Sequence, residues 1–260
     1  MATRTIAGCR VLLTGASSGI GRALAKQLVR EGARLLALAR RRERLEELAR
    51  ELTDGPGKIE ILVGDVTLGE VRQAAIDRAA GAFGGLDLLV NNAGSGAAGR
   101  FAEAGADRLR HVMEVNFFAP AELIRQALPL LKSGQRPMVV NIGSVLGHRG
   151  IPGCAEYCAS KFALEGLSES LRAEFVSLGI DLLVVSPATT RTEFFERAID
   201  APQTSGPMTR GVPPEVVARR TIAAIRRGRH EIVISPGGKL LVWMNRLFPR
   251  ALDSILARYG

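Results

Sequence analysis

The sequence predicts a doubly wound α/β fold, in which one parallel sheet carries helices on both faces. Seven short apolar runs recur along the chain, and longer stretches with helical periodicity separate them. Runs that are apolar without alternation are typical of parallel strands buried on both sides. The chain has 260 residues, of which 47% are apolar, so it can bury one large core. We therefore expect a single domain over residues 1–260.

The seven runs predict the strands in chain order. They are RVLLTG from residue 10, RLLALA from 34, IEILVG from 59, LDLLV from 86, MVVNIG from 138, IDLLVV from 180 and EIVIS from 231. Glycines in EGA at 31–33 and in LGI at 178–180 each close a helix before the following strand. Because strands and helices alternate in this way, the sheet is expected to be parallel and doubly wound.

Two segments follow a different pattern. Residues 188–214 are rich in proline and threonine, and they predict a loop over the substrate site. Residues 237–258 place apolar side chains at helical spacing, which predicts an apolar C-terminal helix with a kink at Pro249. This helix is expected to pack on its own sheet or on a second subunit. The alternative is peripheral contact with a membrane, an interpretation supported by Lys239, Trp243, Arg246 and Arg250.

Charge, cysteine content and hydropathy narrow the class of protein. The net charge is +9, but acidic residues stand between many of the arginines and aromatic residues are few, so we expect no nucleic-acid partner. Three cysteines without C-x-x-C spacing and three scattered histidines predict neither a disulfide framework nor a metal site. The N-terminus lacks the apolar core of a signal peptide, and no apolar run approaches membrane-spanning length. A cytoplasmic location is therefore expected.

The segment VLLTGASSGIGRALA, which begins at residue 11, changes from a predicted strand to a predicted helix. Its three glycines allow the backbone to turn sharply and to approach a pyrophosphate, whose charge the helix N-terminus would stabilise. Two serine hydroxyls add further donors. In this position the motif predicts a dinucleotide-binding Rossmann fold. The predicted cofactor contacts are Gly15, Ser17, Ser18, Gly19, Ile20 and Gly21.

The end of the second predicted strand bears on which dinucleotide binds. Sites for NAD usually place an acidic residue there, whereas residues 35–42 of this chain contain none. Arg40 is predicted to clamp the 2′-phosphate of NADP, helped by Arg41 or Arg22. NADP is therefore expected in preference to NAD. The alternative is that these arginines only begin a solvated helix.

The segment AEYCASKFALEG, residues 155–166, places two ionisable groups among small residues. Tyr157 and Lys161 are four residues apart on a predicted helix, so they share a face. Because a nearby ammonium favours the phenolate, we expect the pKa of Tyr157 to fall below its reference of about 10. Tyr157 would then act as general acid or base on a substrate oxygen. Ser144 ends a predicted strand at the sheet edge where ligands bind, and its hydroxyl is expected to hold the same oxygen.

Several motifs together resemble the short-chain dehydrogenase/reductase family. They are TGASSGIG at 14–21, NNAG at 91–94, Ser144 and YCASK at 157–161, and the resemblance covers about residues 8–235. It implies that Lys161 also hydrogen bonds to the nicotinamide ribose. It further implies that Asn116 interrupts a helix and connects Lys161 to solvent through a water molecule. The implied active-site set is Asn116, Ser144, Tyr157 and Lys161.

The resemblance implies further cofactor contacts. Asp65 and Val66, after the third predicted strand, match the pair that contacts the adenine in this family. The NNAG turn at 91–94, after the fourth strand, matches the turn that lines the adenosine side. In this family Pro-Gly usually follows the sixth strand, whereas this chain has Pro187 followed by Ala188. Thr192 is then the expected donor to the nicotinamide carboxamide. The implied contacts are Asp65, Val66, Asn92, Ala93, Gly94, Pro187 and Thr192, besides Tyr157 and Lys161.

The resulting hypothesis is an NADP-dependent oxidoreductase. It would move a hydride between C4 of nicotinamide and a carbonyl or alcohol carbon of an apolar small molecule. The expected substrate-binding residues are Ser144, Tyr157, Phe194 and Phe195. One alternative is a catalytically silent NADP-binding sensor or scaffold, and another is epimerisation or dehydration with a tightly held cofactor. The resemblance also implies a homodimer or homotetramer.

Overall fold

The computed structural model describes residues 3–200 and 211–259, and within them seven strands form one parallel sheet. The strands are β1 (Arg10–Thr14), β2 (Arg34–Ala39), β3 (Lys58–Val63), β4 (Leu88–Asn91), β5 (Met138–Ile142), β6 (Asp181–Ser186) and β7 (Glu231–Val233). Each coincides with one of the seven predicted runs. Their order across the sheet is β3-β2-β1-β4-β5-β6-β7. The order reverses between β1 and β4, where sheets of this type bind ligands at the carboxyl ends of their strands.

Helices cover both faces of this sheet, which confirms the predicted fold class. They are α1 (Gly19–Arg30), α2 (Arg42–Glu51), α3 (Gly69–Phe83), α4 (Ala106–Met113), α5 (Ala119–Lys132), α6 (Ala155–Glu174), α7 (Pro214–Arg226), α8 (Pro236–Leu247) and α9 (Pro249–Leu256). One apolar core lies beneath α1, α2 and α7, and a second lies beneath α3 and α5.

The two cores explain why the strands are apolar without alternation. In β1, Val11 and Leu13 are buried in the first core, whereas Leu12 is buried in the second. Leu35 and Leu36 of β2 divide in the same way. Since successive side chains point to opposite faces, a strand covered on both sides carries apolar residues at consecutive positions through its centre.

The C-terminal segment forms two helices, and the break lies at the predicted proline. Phe248 separates α8 from α9 with a non-helical backbone, and Pro249 opens α9 at a position that requires no amide hydrogen. Val242 and Leu252 are buried against the rest of the chain, so each helix packs on its own domain through one face. Among residues 3–200 and 211–259, no helix has both the length and the apolarity to cross a bilayer.

Only part of the predicted loop at 188–214 is described. Residues 188–200 form turns with two isolated bridges, and one of these, Ala97 with Ile199, ties the segment to the turn after β4. Residues 201–210 lie outside the described part of the chain, and α7 begins at Pro214. The described portion therefore lies across the carboxyl edge of the sheet near β4.

Candidate active site

The glycine-rich turn between β1 and α1 is packed too closely for side chains. Gly15 has φ of +67°, and a Cβ there would lie 2.8 Å from the Cα of Ala93. A Cβ on Gly21 would collide with the carbonyl of Gly15. Asn92 fastens this turn, because its Nδ2 donates to the carbonyls of Thr14 at 3.0 Å and Gly15 at 3.1 Å. The turn forms a cradle in which α1 starts with its amide groups free to meet an anion.

Thr14, which sequence reasoning missed as a site residue, holds the turn after β4 to β1. The backbone amides of Asn92 and Ala93 both donate to the Thr14 Oγ1, each at 3.0 Å. Gly94 follows, and a Cβ there would lie 3.2 Å from the Oδ1 of Asn116. The predicted adenosine-side turn therefore lies directly against the side chain of the predicted active-site asparagine.

Arg41, rather than Arg40, reaches the glycine-rich turn. Its Nη2 donates to the Ser18 Oγ at 2.6 Å and to the Ser17 Oγ at 3.1 Å. The side chain of Arg40 is 71% exposed and lies 3.5 Å from Asp65. The structure therefore brings Arg41 to the glycine-rich turn and leaves Arg40 exposed beside Asp65, and the expected contact of Arg40 with a 2′-phosphate stays a prediction.

Arg22, the further candidate for this clamp, is engaged elsewhere. It pairs with Glu51 at 2.5 Å and with Glu47 at 3.3 Å. Arg41 also contacts Glu193, whose Oε2 accepts from its Nη1 at 3.3 Å. A guanidinium bordered by two hydroxyls is a donor set that fits a phosphate. Glu193 carries the opposite charge and links this set to the loop after β6.

Asp65 and its neighbours lie along the same edge. Burial raises the pKa of Asp65, but the backbone amide and hydroxyl of Thr67 both donate to this carboxylate, and the net effect lowers its pKa. The side chain of Val66 belongs to the second core, and Ile20 packs against the first core. Their side chains thus hold the turns in place beneath the predicted adenosine side.

Pro187 and Thr192 connect the loop after β6 to the rest of the site. The carbonyl of Pro187 accepts from the Val145 amide at 3.0 Å, directly beside Ser144. Thr192 lies over the start of α1, since a Cβ on Gly19 would be 3.2 Å from the Thr192 Cβ. Alanine after Pro187 is therefore compatible with a loop that returns to the glycine-rich turn.

Asn116 interrupts a helix, as the resemblance implied. It lies in a π-helical segment, Glu114–Phe118, between α4 and α5. Segments of this kind often mark functional sites. The Asn116 Oδ1 accepts from the Ser95 amide at 2.8 Å, and its Nδ2 donates to the Ser160 Oγ at 2.9 Å. Asn116 thus contacts α6 at the residue next to Lys161.

Ser160 is a second residue that sequence reasoning missed, since the sequence shows it only as one of the small residues around Tyr157 and Lys161. Its hydroxyl donates to the carbonyl of Tyr157 at 2.7 Å while it accepts from Asn116. Serine at this position, three residues after the tyrosine, can bond back to the preceding turn of its own helix. The pair Asn116 and Ser160 fixes the first turn of α6.

Three of the predicted active-site side chains meet at the end of β5. Tyr157 and Lys161 share a buried face of α6, and the Lys161 Nζ lies 5.8 Å from the centroid of the Tyr157 ring. This ammonium donates to the carbonyl of Ile142, the last residue of β5, at 2.9 Å. Ser144 follows two residues later and caps a short 3₁₀ turn by accepting from the Leu146 amide at 3.1 Å.

Aromatic rings of the loop after β6 border this group. Phe194 and Phe195 meet the ring of Tyr157 edge to face, with centroids 5.6 Å and 6.3 Å away. Val145 and Leu146 complete the apolar surroundings. Tyr157 therefore has mainly apolar neighbours and a small number of polar groups beside it, a combination that is typical of small-molecule sites.

The pKa of Tyr157 is raised above that of free tyrosine, whereas from the sequence we expected it to be lowered. Burial raises the pKa of Tyr157, and the neighbouring Ser144 hydroxyl acts in the opposite direction. Burial also lowers the pKa of Lys161 to about 8. The predicted lowering by the ammonium is absent, because removal from water disfavours both charged forms and Lys161 is directed at the Ile142 carbonyl. At neutral pH the phenol therefore carries its proton.

A buried ion pair beside Tyr157 was also missed. The Arg108 Nη2 lies 2.7 Å from the Glu156 Oε1, and both side chains are almost completely buried. Arg108 also donates to the carbonyls of Ala98 and Arg100. In the sequence Arg108 is one of several charged residues on a helix, and nothing in the neighbouring residues indicates that its side chain is buried. This pair fixes the N-terminal end of α6.

A separate cavity of about 320 Å³ lies behind α6. Glu165 lines it together with His148, Glu169 and Arg246. Burial, assisted by the carboxylates of Glu231 and Glu169, raises the pKa of Glu165 to about 7. The His148 Nε2 is 4.0 Å away, but burial lowers the pKa of His148, so this imidazole is a weak source of positive charge at neutral pH.

Replacing Glu165 with glutamine is expected to stabilise the fold at pH 8 and to change little near pH 4.5. The folded carboxyl titrates at about 7 and the unfolded one near 4.5. The charged form therefore reduces the free energy of unfolding as pH rises through this range, and the loss is constant above it. We expect a gain of about 3 kcal/mol at pH 8. Urea denaturation at both pH values measures this difference.

The matched control is Glu174→Gln, at an exposed position on the same helix. This control should leave the unfolding midpoint unchanged at either pH. A stabilisation by Glu165→Gln that is equal at the two pH values would contradict the assignment, because the effect would then not arise from proton binding.

Comparison with known proteins gives the family. The model described as short chain dehydrogenase matches residues 10–203. Dehydrogenase/reductase SDR family member 7B from Bos taurus is 33% identical over 259 residues, which covers 95% of this chain and 80% of the relative. A short-chain dehydrogenase/reductase from Burkholderia phymatum, solved in complex with NAD, superimposes with a TM-score of 0.86 at 26% identity and covers 94% of each chain.

A second solved structure extends this comparison. It is a short chain dehydrogenase from Burkholderia cenocepacia in complex with NADP, with a TM-score of 0.83 and 27% identity over 97% of this chain and 99% of that one. The family match spans well over half of the chain and includes the glycine-rich turn, the turn after β4 and the α6 motif. The chain therefore belongs to the short-chain dehydrogenase/reductase family of oxidoreductases.

Proposed function

We propose that this protein uses NADPH to reduce the carbonyl group of an apolar small molecule to an alcohol. The observation that carries the proposal is the group at the end of β5, where the buried, protonated Tyr157 lies beside Ser144 and Lys161. This group lies at the same edge of the sheet as the glycine cradle. When bound in that cradle, NADPH supplies the hydride that the carbonyl carbon accepts.

The residues of the site have distinct tasks in this reaction. Because burial keeps the Tyr157 phenol protonated, it donates the proton that the carbonyl oxygen requires. The Ser144 hydroxyl holds the same oxygen. Lys161 is a positioning residue, anchored on the Ile142 carbonyl, that offers its ammonium beneath the tyrosine ring. Asn116 holds the backbone of Tyr157 in place through Ser160.

The preference for NADP over NAD rests on Arg41. Its guanidinium borders the Ser17 and Ser18 hydroxyls at the start of α1, and this donor set suits the additional phosphate of NADP. One solved relative contains NAD and the other NADP, so membership of the family leaves both cofactors open. Glu193 pairs with Arg41 in this structure, and the phosphate would compete with that carboxylate.

Replacing Arg41 with alanine is expected to lower kcat/KM for NADPH by about 10- to 100-fold, since a hydrogen bond to a charged group contributes about 1.5–3 kcal/mol. The value for NADH should change little. Steady-state kinetics with both cofactors measures the ratio. Arg40→Ala is the matched control and should have a smaller effect, because its side chain is largely exposed. An equal loss for NADPH and NADH would contradict the assignment.

The apolar substrate class is supported by the walls around Tyr157. Phe194 and Phe195 present ring edges to the tyrosine, and Leu146 and Cys158 lie in the same apolar cluster. We expect aromatic, steroid-like or acyl-chain ketones to be reduced with higher kcat/KM than sugars. A panel of such carbonyl compounds, followed by the absorbance of NADPH, tests this. If NADPH is bound but no member of the panel is reduced, the silent sensor would replace the enzyme as the better proposal.

We further propose that the protein forms a homo-oligomer and that it is cytoplasmic. Phe118 follows Asn116 in the π-helical segment and Phe162 follows Lys161 on α6, and both side chains are exposed. Exposed aromatic residues of this kind favour a homodimer or homotetramer through these helices. Light scattering after size-exclusion chromatography measures the subunit number. Dependence on NADPH favours a cytoplasmic location.

A further inference from the structure

The C-terminal helices carry an exposed apolar face that the fold itself does not use. On α8, Leu240, Trp243 and Leu247 follow helical spacing and are each about 60% exposed or more. Phe248 and Ile255 extend this surface towards α9, and both are about half exposed. We name these five residues the C-terminal apolar face. Single exposed apolar residues are ordinary, but a contiguous set marks an interaction site.

The opposite side of α8 anchors this helix to the domain. Val242 and Gly238 are buried, and a Cβ on Gly238 would lie 2.8 Å from the Cγ1 of Val145. Leu241 packs against the apolar cluster that contains Tyr157. Since the inner side already fixes α8, the outer apolar residues are not required for its packing.

Cationic side chains border the C-terminal apolar face. Lys239, Arg246 and Arg250 are exposed on α8 and α9. A groove of about 610 Å³ adjoins α8, and Arg220, Arg227 and Arg229 contribute further positive charge to it. Among the described residues that line this groove, Glu231 is the one acidic residue. The combined surface is apolar at its centre and positively charged along one side.

We propose that the C-terminal apolar face docks on the surface of an anionic lipid bilayer, with α8 and α9 lying in the plane of the interface. Helices that bind in this way have an apolar face with flanking lysine and arginine. Tryptophan favours the boundary between lipid and water, and anionic headgroups attract the basic border. A second copy of this chain fits less well, because a two-fold interface at this face would bring the same cations together.

Docking would also place the candidate active site near the bilayer. Leu240 lies in the proposed membrane contact, and the next residue, Leu241, packs against the cluster around Tyr157. An apolar ketone dissolved in the bilayer would then lie close to the enzyme that reduces it. This consequence rests on the proposed function, whereas membrane docking itself does not.

Trp243 is the only tryptophan of the chain, so its fluorescence reports directly on the proposed contact. We expect vesicles of phosphatidylcholine and phosphatidylglycerol to shift its emission to shorter wavelength, and brominated lipids in such vesicles to quench it. Vesicles of phosphatidylcholine alone should bind about tenfold more weakly at low salt, and added salt should remove the difference. Unchanged emission with anionic vesicles would overturn the proposal.

Two variants separate the apolar and electrostatic contributions. Leu240→Glu combined with Leu247→Glu should abolish binding, because both charges would enter the apolar contact. Lys239→Glu combined with Arg250→Glu should remove only the preference for anionic lipid. Val176→Glu, at a 77% exposed apolar residue on the turn after α6, is the matched control and should bind vesicles like the original protein.

Further measurements distinguish the competing explanations. NADPH oxidation with a water-soluble ketone should change less than about twofold in these variants, because their positions lie outside the site. This readout separates failure of docking from failure of the proposed function. If Leu240→Glu with Leu247→Glu dissociates an oligomer while the original protein leaves vesicles unbound, the face is a subunit interface and the proposal is wrong.

Discussion

Replacing Tyr157 with phenylalanine is expected to lower kcat for NADPH-dependent carbonyl reduction by about 10²- to 10⁴-fold, the usual contribution of a general acid. The phenol is the buried proton donor at the end of β5, and phenylalanine keeps the ring that meets Phe194 and Phe195 but removes the proton. Affinity for NADPH should remain close to its original value, since the glycine cradle is untouched. Absorbance kinetics and a cofactor binding titration measure the two quantities.

The chain contains one other tyrosine, which provides a matched control. Tyr259→Phe changes the same functional group near the C-terminus and should leave kcat unchanged. Retained turnover in Tyr157→Phe would refute its role as the acid. A parallel loss of kcat and NADPH affinity would instead indicate that Tyr157 serves to bind the cofactor.

Replacing Arg108 with methionine is expected to reduce the free energy of unfolding by about 3–5 kcal/mol, because it leaves a buried carboxylate without its partner. The Glu156 side chain is almost fully buried, and its Oε2 has no hydrogen-bond partner among the described residues. Loss of Arg108 would also leave the carbonyls of Ala98 and Arg100 without its donors. Urea denaturation followed by circular dichroism measures the change.

Two further variants test whether burial causes this loss. Arg100→Met removes an exposed partner of Glu103 and should cost at most about 1 kcal/mol, since surface pairs contribute little. Arg108→Met combined with Glu156→Met should recover a large part of the stability, because no unpaired buried charge remains and Asp200, the other acidic partner of Arg108, is more than half exposed. Equal unfolding midpoints for Arg108→Met and Arg100→Met would contradict the importance of the buried pair.

The strands could be predicted from the sequence because burial on both faces leaves a local record. Leu12 and Leu13 pack into opposite cores, so the consecutive central positions of β1 are all apolar. The glycine-rich turn could also be predicted, because a Cβ on Gly21 would collide with the nearby Gly15 carbonyl, whereas the contact of Gly15 with Ala93 is visible only in the tertiary structure. The break at Pro249 follows from the missing amide hydrogen of proline.

The contents of the candidate site were predictable in part, and the limits are physical. Helical spacing places Tyr157 and Lys161 on one face, and the family motifs indicate Ser144 and Asn116. Their order along the chain gives no direct information on how deeply they are buried. In the sequence Ser160 is only one of the small residues near Tyr157. The structure shows that its hydroxyl joins Asn116 to the backbone of Tyr157.

The sequence by itself determined the positions of the strands along the chain, the position of the glycine cradle and the family, because each follows from local spacing or from motifs in sequence order. Tertiary structure alone decided which arginine meets the glycine-rich turn and that Arg108 pairs with Glu156, 48 residues away. It also decided that Tyr157 holds its proton more tightly than free tyrosine. These properties depend on the water that neighbouring segments exclude and on the directions in which side chains leave their turns.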